Sequence, residues 1–179
     1  EDIALARLSM CDNSYSTHDS DARRTICEAM SGDLAGSIWR VSDAIDNLAS
    51  KFSNDNPVHE FVRQEGKILP EEMIKKGYAL LEEILLKVKA ELAANPDMSN
   101  REKAAVVYKV MTDVGIVLTP QFENWAFFEN LSRKRLDCDT SSYVVIAVAH
   151  ELGWPVHIVH VPGHVFIRWQ DKNDPFNID

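Results

Sequence analysis

The chain has 179 residues, 45% apolar and 26% charged, with a net charge of −9. That is one globular domain, or one domain with an added helical part, with chain enough to bury a core. An acidic surface repels phosphate backbones, which argues against nucleic acid, and no run of 18 apolar residues offers a membrane span.

The sequence starts at Glu1, without methionine and without the charged-then-apolar opening of a signal peptide, so a processed or recombinant form is expected. Cys11, Cys27 and Cys138 make neither a disulfide framework nor a Cys-x-x-Cys zinc pair. A Cys11–Cys27 bridge would suit a secreted protein. Two reduced thiols in a reducing, cytoplasmic compartment are the plainer expectation. Residues 11 to 21, "CDNSYSTHDSD", read as a polar loop.

From there to about residue 118 the pattern is helical. Leu34, Ile38, Val41, Ile45 and Leu48 recur at spacings of four and three, which predicts one buried stripe. Pro70 opens a long helix where its missing N–H is harmless. Ile74, Tyr78, Leu81, Leu85, Val88 and Leu92 form its apolar face, and "AANPD" closes it. A third helix starts after Ser99, with Glu102 completing a capping box and Ala104, Tyr108, Met111 and Gly115 as its inner stripe. Core packing accounts for these faces more simply than partner binding does.

After Thr119-Pro120 the character changes. A short helical piece, "ENWAFFENLSRK", runs into the only basic cluster, Arg133-Lys134-Arg135, which reads as a solvated helix end. It leads into Cys138. Tyr143 to Ala149 is apolar nearly all round, the mark of a central buried helix, and Gly153 is placed to end it. Val156 to Val161 and His164 to Trp169 are strand-like about a Pro162-Gly163 turn, "QDKND" is a hairpin loop, and "PFNID" is a third strand. Helices, a buried helix and then an antiparallel sheet make the class α+β.

The chemistry concentrates in this last third. A cysteine at a helix start faces unpaired N–H groups and the positive end of the dipole, which favour thiolate, the nucleophilic form. Asp137 and Asp139 flank it and act the other way, weakly if they point to solvent. On position alone, nucleophile and buried core thiol are equal readings. His164 alone reads as a structural hydrogen-bonder. A cysteine at a helix start followed by a histidine at a strand start is, however, one order in which a cysteine–histidine pair can meet. Asp174, Asn177 and Asp179 then stand on the following segment as groups to orient the histidine. His150, His157, His160 and His164 are crowded, yet "HELGW" is not His-Glu-x-x-His, and residues 157 and 160 fall on opposite faces of one strand. No metal site is expected.

The segment "NWAFFENLSRKRLDCDTSSYVVIAVAHELGWPVHIVHVPGHVFIRW", with "FNID" after it, resembles the transglutaminase-like superfamily of papain-like cysteine hydrolases. It is most similar to a bacterial branch often attached to tetratricopeptide repeats. That branch carries Asn-x-x-Leu-x-x-x-Leu-x-x-Arg-x-Gly-x-Cys, then Leu-Gly-x-Pro, Pro-Gly-His and a later Asn-Ile-Glu. Asn124, Phe127, Leu131, Arg133, Arg135, Cys138, Leu152, Gly153, Pro155, Pro162, Gly163, His164, Arg168, Asn177 and Ile178 fall in matching or similar places, so the resemblance covers roughly residues 120 to 179.

What the resemblance implies is a papain-like catalytic core, 119–179, on which the mainly helical part, 1–118, read from its periodicity, is expected to pack. Cys138 would be the nucleophile, His164 the base and Asp179 the orienting acid, with Asp174 as second choice and Asn124 supporting an oxyanion hole. The expected activity is a cysteine peptidase or amidase working through a thioester on a peptide or protein, without a cofactor. The alternative is a non-catalytic binding or regulatory domain, since some members of the branch have lost the cysteine. Two departures stand out. The glycine usual two places before the cysteine is Leu136, and the chain stops at Asp179, short of any following repeats.

Overall fold

The structure is a computed structural model that describes residues 43–119 and 126–178. All of them lie in one compact unit, Val41–Asp179. The polar loop at 11 to 21, Cys11, Cys27, the stripe positions Leu34, Ile38 and Val41, and Pro120, Asn124 and Asp179 lie outside the described residues.

The described elements follow the expected order. Helices α1 (Asp43–Ala49), α2 (Val58–Glu65), α3 (Glu71–Ala94) and α4 (Asn100–Asp113) come first. Strand β1 (Val117–Leu118), helix α5 (Phe127–Ser132), strand β2 (Arg135–Leu136) and helix α6 (Cys138–Glu151) lead into strands β3 (Val156–Val161), β4 (His164–Trp169) and β5 (Phe176–Ile178). The class is α+β.

Local chemistry explains most of the boundaries. Pro70 is the N-cap of α3, whose 24 residues bury Ile74, Tyr78, Leu81, Leu85 and Val88 along one face. Ser99 caps α4 through the full capping box, its side chain accepting from Glu102 N–H while Glu102 reaches back to the Ser99 N–H. Gly115 does not continue the α4 stripe. It is exposed, beyond the C-cap Val114, with φ of 86°, a conformation that ends the helix. Gly153, at φ 65°, ends α6 the same way.

The core is built where α3, α5 and α6 meet. Phe61 stacks on Phe127 at 4.7 Å and lies 4.8 Å from Tyr143, while Tyr78 lies 5.0 Å from Phe128. The approach of α3 to α5 leaves room only for glycine. A Cβ at Gly77 would sit 2.6 Å from Phe128 Cδ1 and 3.3 Å from its carbonyl oxygen. Gly77→Ala should therefore lower stability by about 1–3 kcal/mol from overpacking. Helix propensity alone would raise it by about 1 kcal/mol, so the sign of the shift in a urea unfolding midpoint decides between the two effects.

Strands β3, β4 and β5 form an antiparallel sheet in that order. Val165, Ile167 and Trp169 are buried against the helices, and Trp169, Phe176 and Ala104 of α4 make a second small core. The start of α4 also clamps the β4–β5 loop. Asn100 donates to Asp171 at 2.9 Å, and Arg101 lies 4.4 Å over the Phe176 ring. The far end of α6 is held by buried Asn56, whose amide donates to Ala147 O at 3.0 Å and to Glu151 at 2.8 Å.

The parallel bridge of β1 with β2 has no sequence signature, being two residues on each side. It accounts for Leu136. That residue is fully buried and extended, and its carbonyl accepts the Thr119 N–H at 2.8 Å. The left-handed position before Cys138 is Lys134 instead, at φ 57°, with its ammonium on Val114 O at 2.7 Å. Position 136 makes no demand for glycine.

Candidate active site

Cys138 is the first residue of α6, and its position is set by a tightly closed cap. Asp137 Oδ1 accepts from the Thr140 N–H at 2.8 Å and from the Thr140 hydroxyl at 2.7 Å, while the Asp137 N–H donates to Thr140 Oγ1 at 3.0 Å. Ser141 and Ser142 donate to the Cys138 carbonyl at 3.1 and 2.7 Å. The Asp-x-x-Thr spacing is the sequence signal of this cap, and reading Asp137 only as a charge beside the thiol overlooked it.

The sulfur lies against the first residues of β4. The Pro162-Gly163 turn, with Gly163 at φ 77°, joins Val161 and His164 as the closing pair of a two-residue hairpin. Hydrogen bonds alternate along an antiparallel pair, so the next residue, Val165, turns its N–H away from β3. β5 pairs with β4 only from Ile167 onward among the described residues. On that side the Val165 N–H acts on the Cys138 thiol by favouring its charged form. The residue at the helix start thus shares a cavity with the strand whose first residue is His164.

The electrostatics of the thiol differ from the expectation. Burial pushes it up from 9.0 to about 11, aided by the charges of Asp139 and Asp137 and opposed by the Val165 N–H. Both carboxylates are buried, Asp137 at 6% and Asp139 at 9% exposure, and do not point to solvent. A helix dipole contributes about 0.3–1 kcal/mol at its terminus, less than one pKa unit, whereas burial and like charge each move a thiol by one to several units. In this protein the second pair of effects wins, and the free thiol is neutral. It donates its hydrogen to Asp139 Oδ1 at 3.4 Å.

His164 is half-buried at the head of β4, with its ring 6.1 Å from that of Phe166 on the same strand face. Asp174 is exposed, and both its oxygens accept from Arg101, at 3.2 and 2.8 Å. Asn124 and Asp179 lie outside the described residues. The other histidines stand apart. His150 is at the opposite end of α6, about 18 Å of helix rise from Cys138, beside Ser53 at 3.3 Å and Asp55 at 3.6 Å. His157 and His160 are exposed on β3. Among the described residues no group of three or more His, Cys, Asp or Glu could hold a metal ion.

Cys138 opens onto a cavity of about 260 Å³. Tyr108, Leu118, Leu136, Val165, Phe166 and Ile178 make its apolar wall, and Thr119, Asp137, Ser141 and Ser142 supply polar groups. Tyr108 was expected in the α4 core stripe and instead lines this cavity, half-buried. Its phenol among alanine and methionine positions was the available signal. Leu118, 54% exposed, extends the apolar wall to the surface.

A cysteine opens a buried helix and shares a cavity with the second strand of an antiparallel hairpin. The family model of the transglutaminase-like superfamily matches residues 75–179, more than half of the chain. The chain belongs to the transglutaminase-like superfamily. The match begins inside α3 and takes in α4, well upstream of the residues that carry the motifs, and the packing of Gly77 on Phe128 and of Ala104 on Trp169 ties those helices to the site-bearing elements. Members of the superfamily are typically cysteine-dependent hydrolases or transferases. No curated protein and no solved structure matches the chain. Among the described residues no helix is long and apolar enough to cross a membrane.

Proposed function

We propose that this superfamily member is a cysteine-dependent hydrolase of amide bonds, a peptidase or amidase acting on a peptide or protein. Cys138 is the nucleophile and His164 the base. Asp179 orients the histidine, with Asp174 the second candidate although Arg101 already holds its carboxylate. Asn124 and the Cys138 backbone N–H stabilise the oxyanion. No cofactor enters.

The observation that carries this reading is that Cys138, at the start of α6, lines one cavity with Val165, the residue after His164 at the start of β4. His164 takes the thiol proton as sulfur attacks the carbonyl carbon, and the carbonyl oxygen becomes an oxyanion. First-turn N–H groups of a helix have no intrahelical acceptor and suit that charge. Collapse expels the amine, which leaves with the proton from His164, and a thioester remains. Water, deprotonated by His164, attacks the thioester and frees the acid and the thiol. Hydrolysis is favoured over crosslinking because no sequence feature points to a second, amine substrate.

A non-catalytic binding domain is the second reading, supported by the neutral thiol. Peptide nitrophenyl esters with varied acyl residues separate the two by intact-mass analysis. The hydrolase should gain one acyl mass on the Cys138 peptide, removable by hydroxylamine and absent from Cys138→Ala. A folded protein that no ester acylates at Cys138 would be the binding domain.

A further inference from the structure

The Cys138 thiol has one hydrogen, and that hydrogen goes to Asp139 Oδ1 at 3.4 Å. Val165, directly after His164 on β4, lines the same cavity as the thiol. The thiol hydrogen is therefore directed to Asp139 and not to His164. We propose that Asp139 is a positioning residue that latches the nucleophile, holding the Cys138 proton away from His164 until an acyl group enters the cavity and the S–H turns to the histidine. The role in turnover rests on Cys138 being the nucleophile, whereas the latch itself concerns only the thiol.

The geometry of Asp139 suits a latch better than a surface helix-start acid. It is the second residue of α6, directly after the cysteine, and only 9% exposed. A carboxylate buried there opposes thiolate formation by charge and competes for the proton by hydrogen bonding. Asp137 adds charge but is tied to Thr140 through its cap, so its carboxylate is not aimed at the sulfur. Among the described residues, the other groups by the thiol that carry or can acquire charge are His164, heading β4, and Tyr108 of α4, which lines the same cavity. The consequence is protection. Thiolate is the form attacked by alkylating agents and oxidants, and a latched thiol resists them while the cavity is empty.

The test is iodoacetamide labelling of the full chain from pH 6 to 11, read by mass spectrometry on the Cys138 peptide so that Cys11 and Cys27 do not contribute. Wild-type labelling should have its midpoint well above the ordinary 9.0. Asp139→Asn, folded by circular dichroism, should lower that midpoint by about one to two pH units and raise the rate at pH 8 about ten-fold or more. Asp139→Ser, neutral and well suited to a helix start, serves if the asparagine variant does not fold. A purely structural Asp139 would alter the melting temperature and leave the midpoint in place, which overturns the latch. A wild-type midpoint at or below 9.0 overturns it without any variant. Failure of Cys138 to accept an acyl group would instead sink the hydrolase reading and leave the labelling result standing.

Discussion

Replacing His164 with alanine should lower kcat/KM for amide cleavage about a hundred- to ten-thousand-fold, the usual contribution of a positioned general base. Cys138→Ala should remove turnover entirely. The expectation is steep because the free thiol is neutral. Pushed up to about 11, it holds scarcely any thiolate at neutral pH, so attack depends on a base that removes the proton during the reaction. A preformed thiolate would behave differently, retaining part of its reactivity without the histidine. The pH dependence of thiol reactivity carries the same sign, with iodoacetamide labelling of Cys138 climbing up to about pH 11. Steady-state rates on a peptide ester or amide identified by the acylation screen, compared among wild type, Cys138→Ala and His164→Ala, check the prediction. Equal rates in wild type and His164→Ala would remove the histidine from the mechanism.

Glu65→Ala should destabilise the protein by about 2–6 kcal/mol and loosen the thiol as well. Glu65, at the end of α2, is 3% exposed and caps a helix 62 residues away. Its two oxygens accept from the Phe127 N–H at 2.8 Å and the Phe128 N–H at 2.9 Å. The N-cap of α5, Ala126, has no side chain able to do this. Removing the carboxylate leaves two buried donors without an acceptor, each worth about 1–3 kcal/mol. The effect reaches the site through the chain, since α5 runs through Arg133 and Lys134 into β2 and then into Cys138. Urea unfolding measures the stability loss. Labelling of Cys138 at pH 8 should rise in parallel, and a loss below about 1 kcal/mol would mean that water replaces the carboxylate at no appreciable cost.

Proton linkage adds a condition for both measurements. The folded protein binds the Cys138 proton more tightly than the unfolded chain does. The stabilisation from this group is complete below 9.0 and declines as pH rises toward about 11. Stability comparisons therefore belong near neutral pH, where the thiol is protonated in both states.

Local signals in the sequence determined the elements. Pro70, the Ser99–Glu102 capping box, the all-round apolar run in α6 and the Pro162-Gly163 turn each act over a few residues, so their consequences can be read without a fold. The order of Cys138 at a helix start and His164 at a strand start was legible for the same reason. Only the tertiary structure decided the state of the thiol. Charge and burial around one sulfur depend on which way Asp139 turns, on a strand N–H contributed 27 residues later by Val165, and on a cavity wall drawn from α4, β1, β4 and β5. The Glu65 cap belongs to the same class, because a buried glutamate in a sequence does not announce which distant helix needs its oxygens. Leu136 shows the difference most plainly. By sequence it is a missing glycine, and in the folded chain it is a buried strand residue whose turn is made by Lys134.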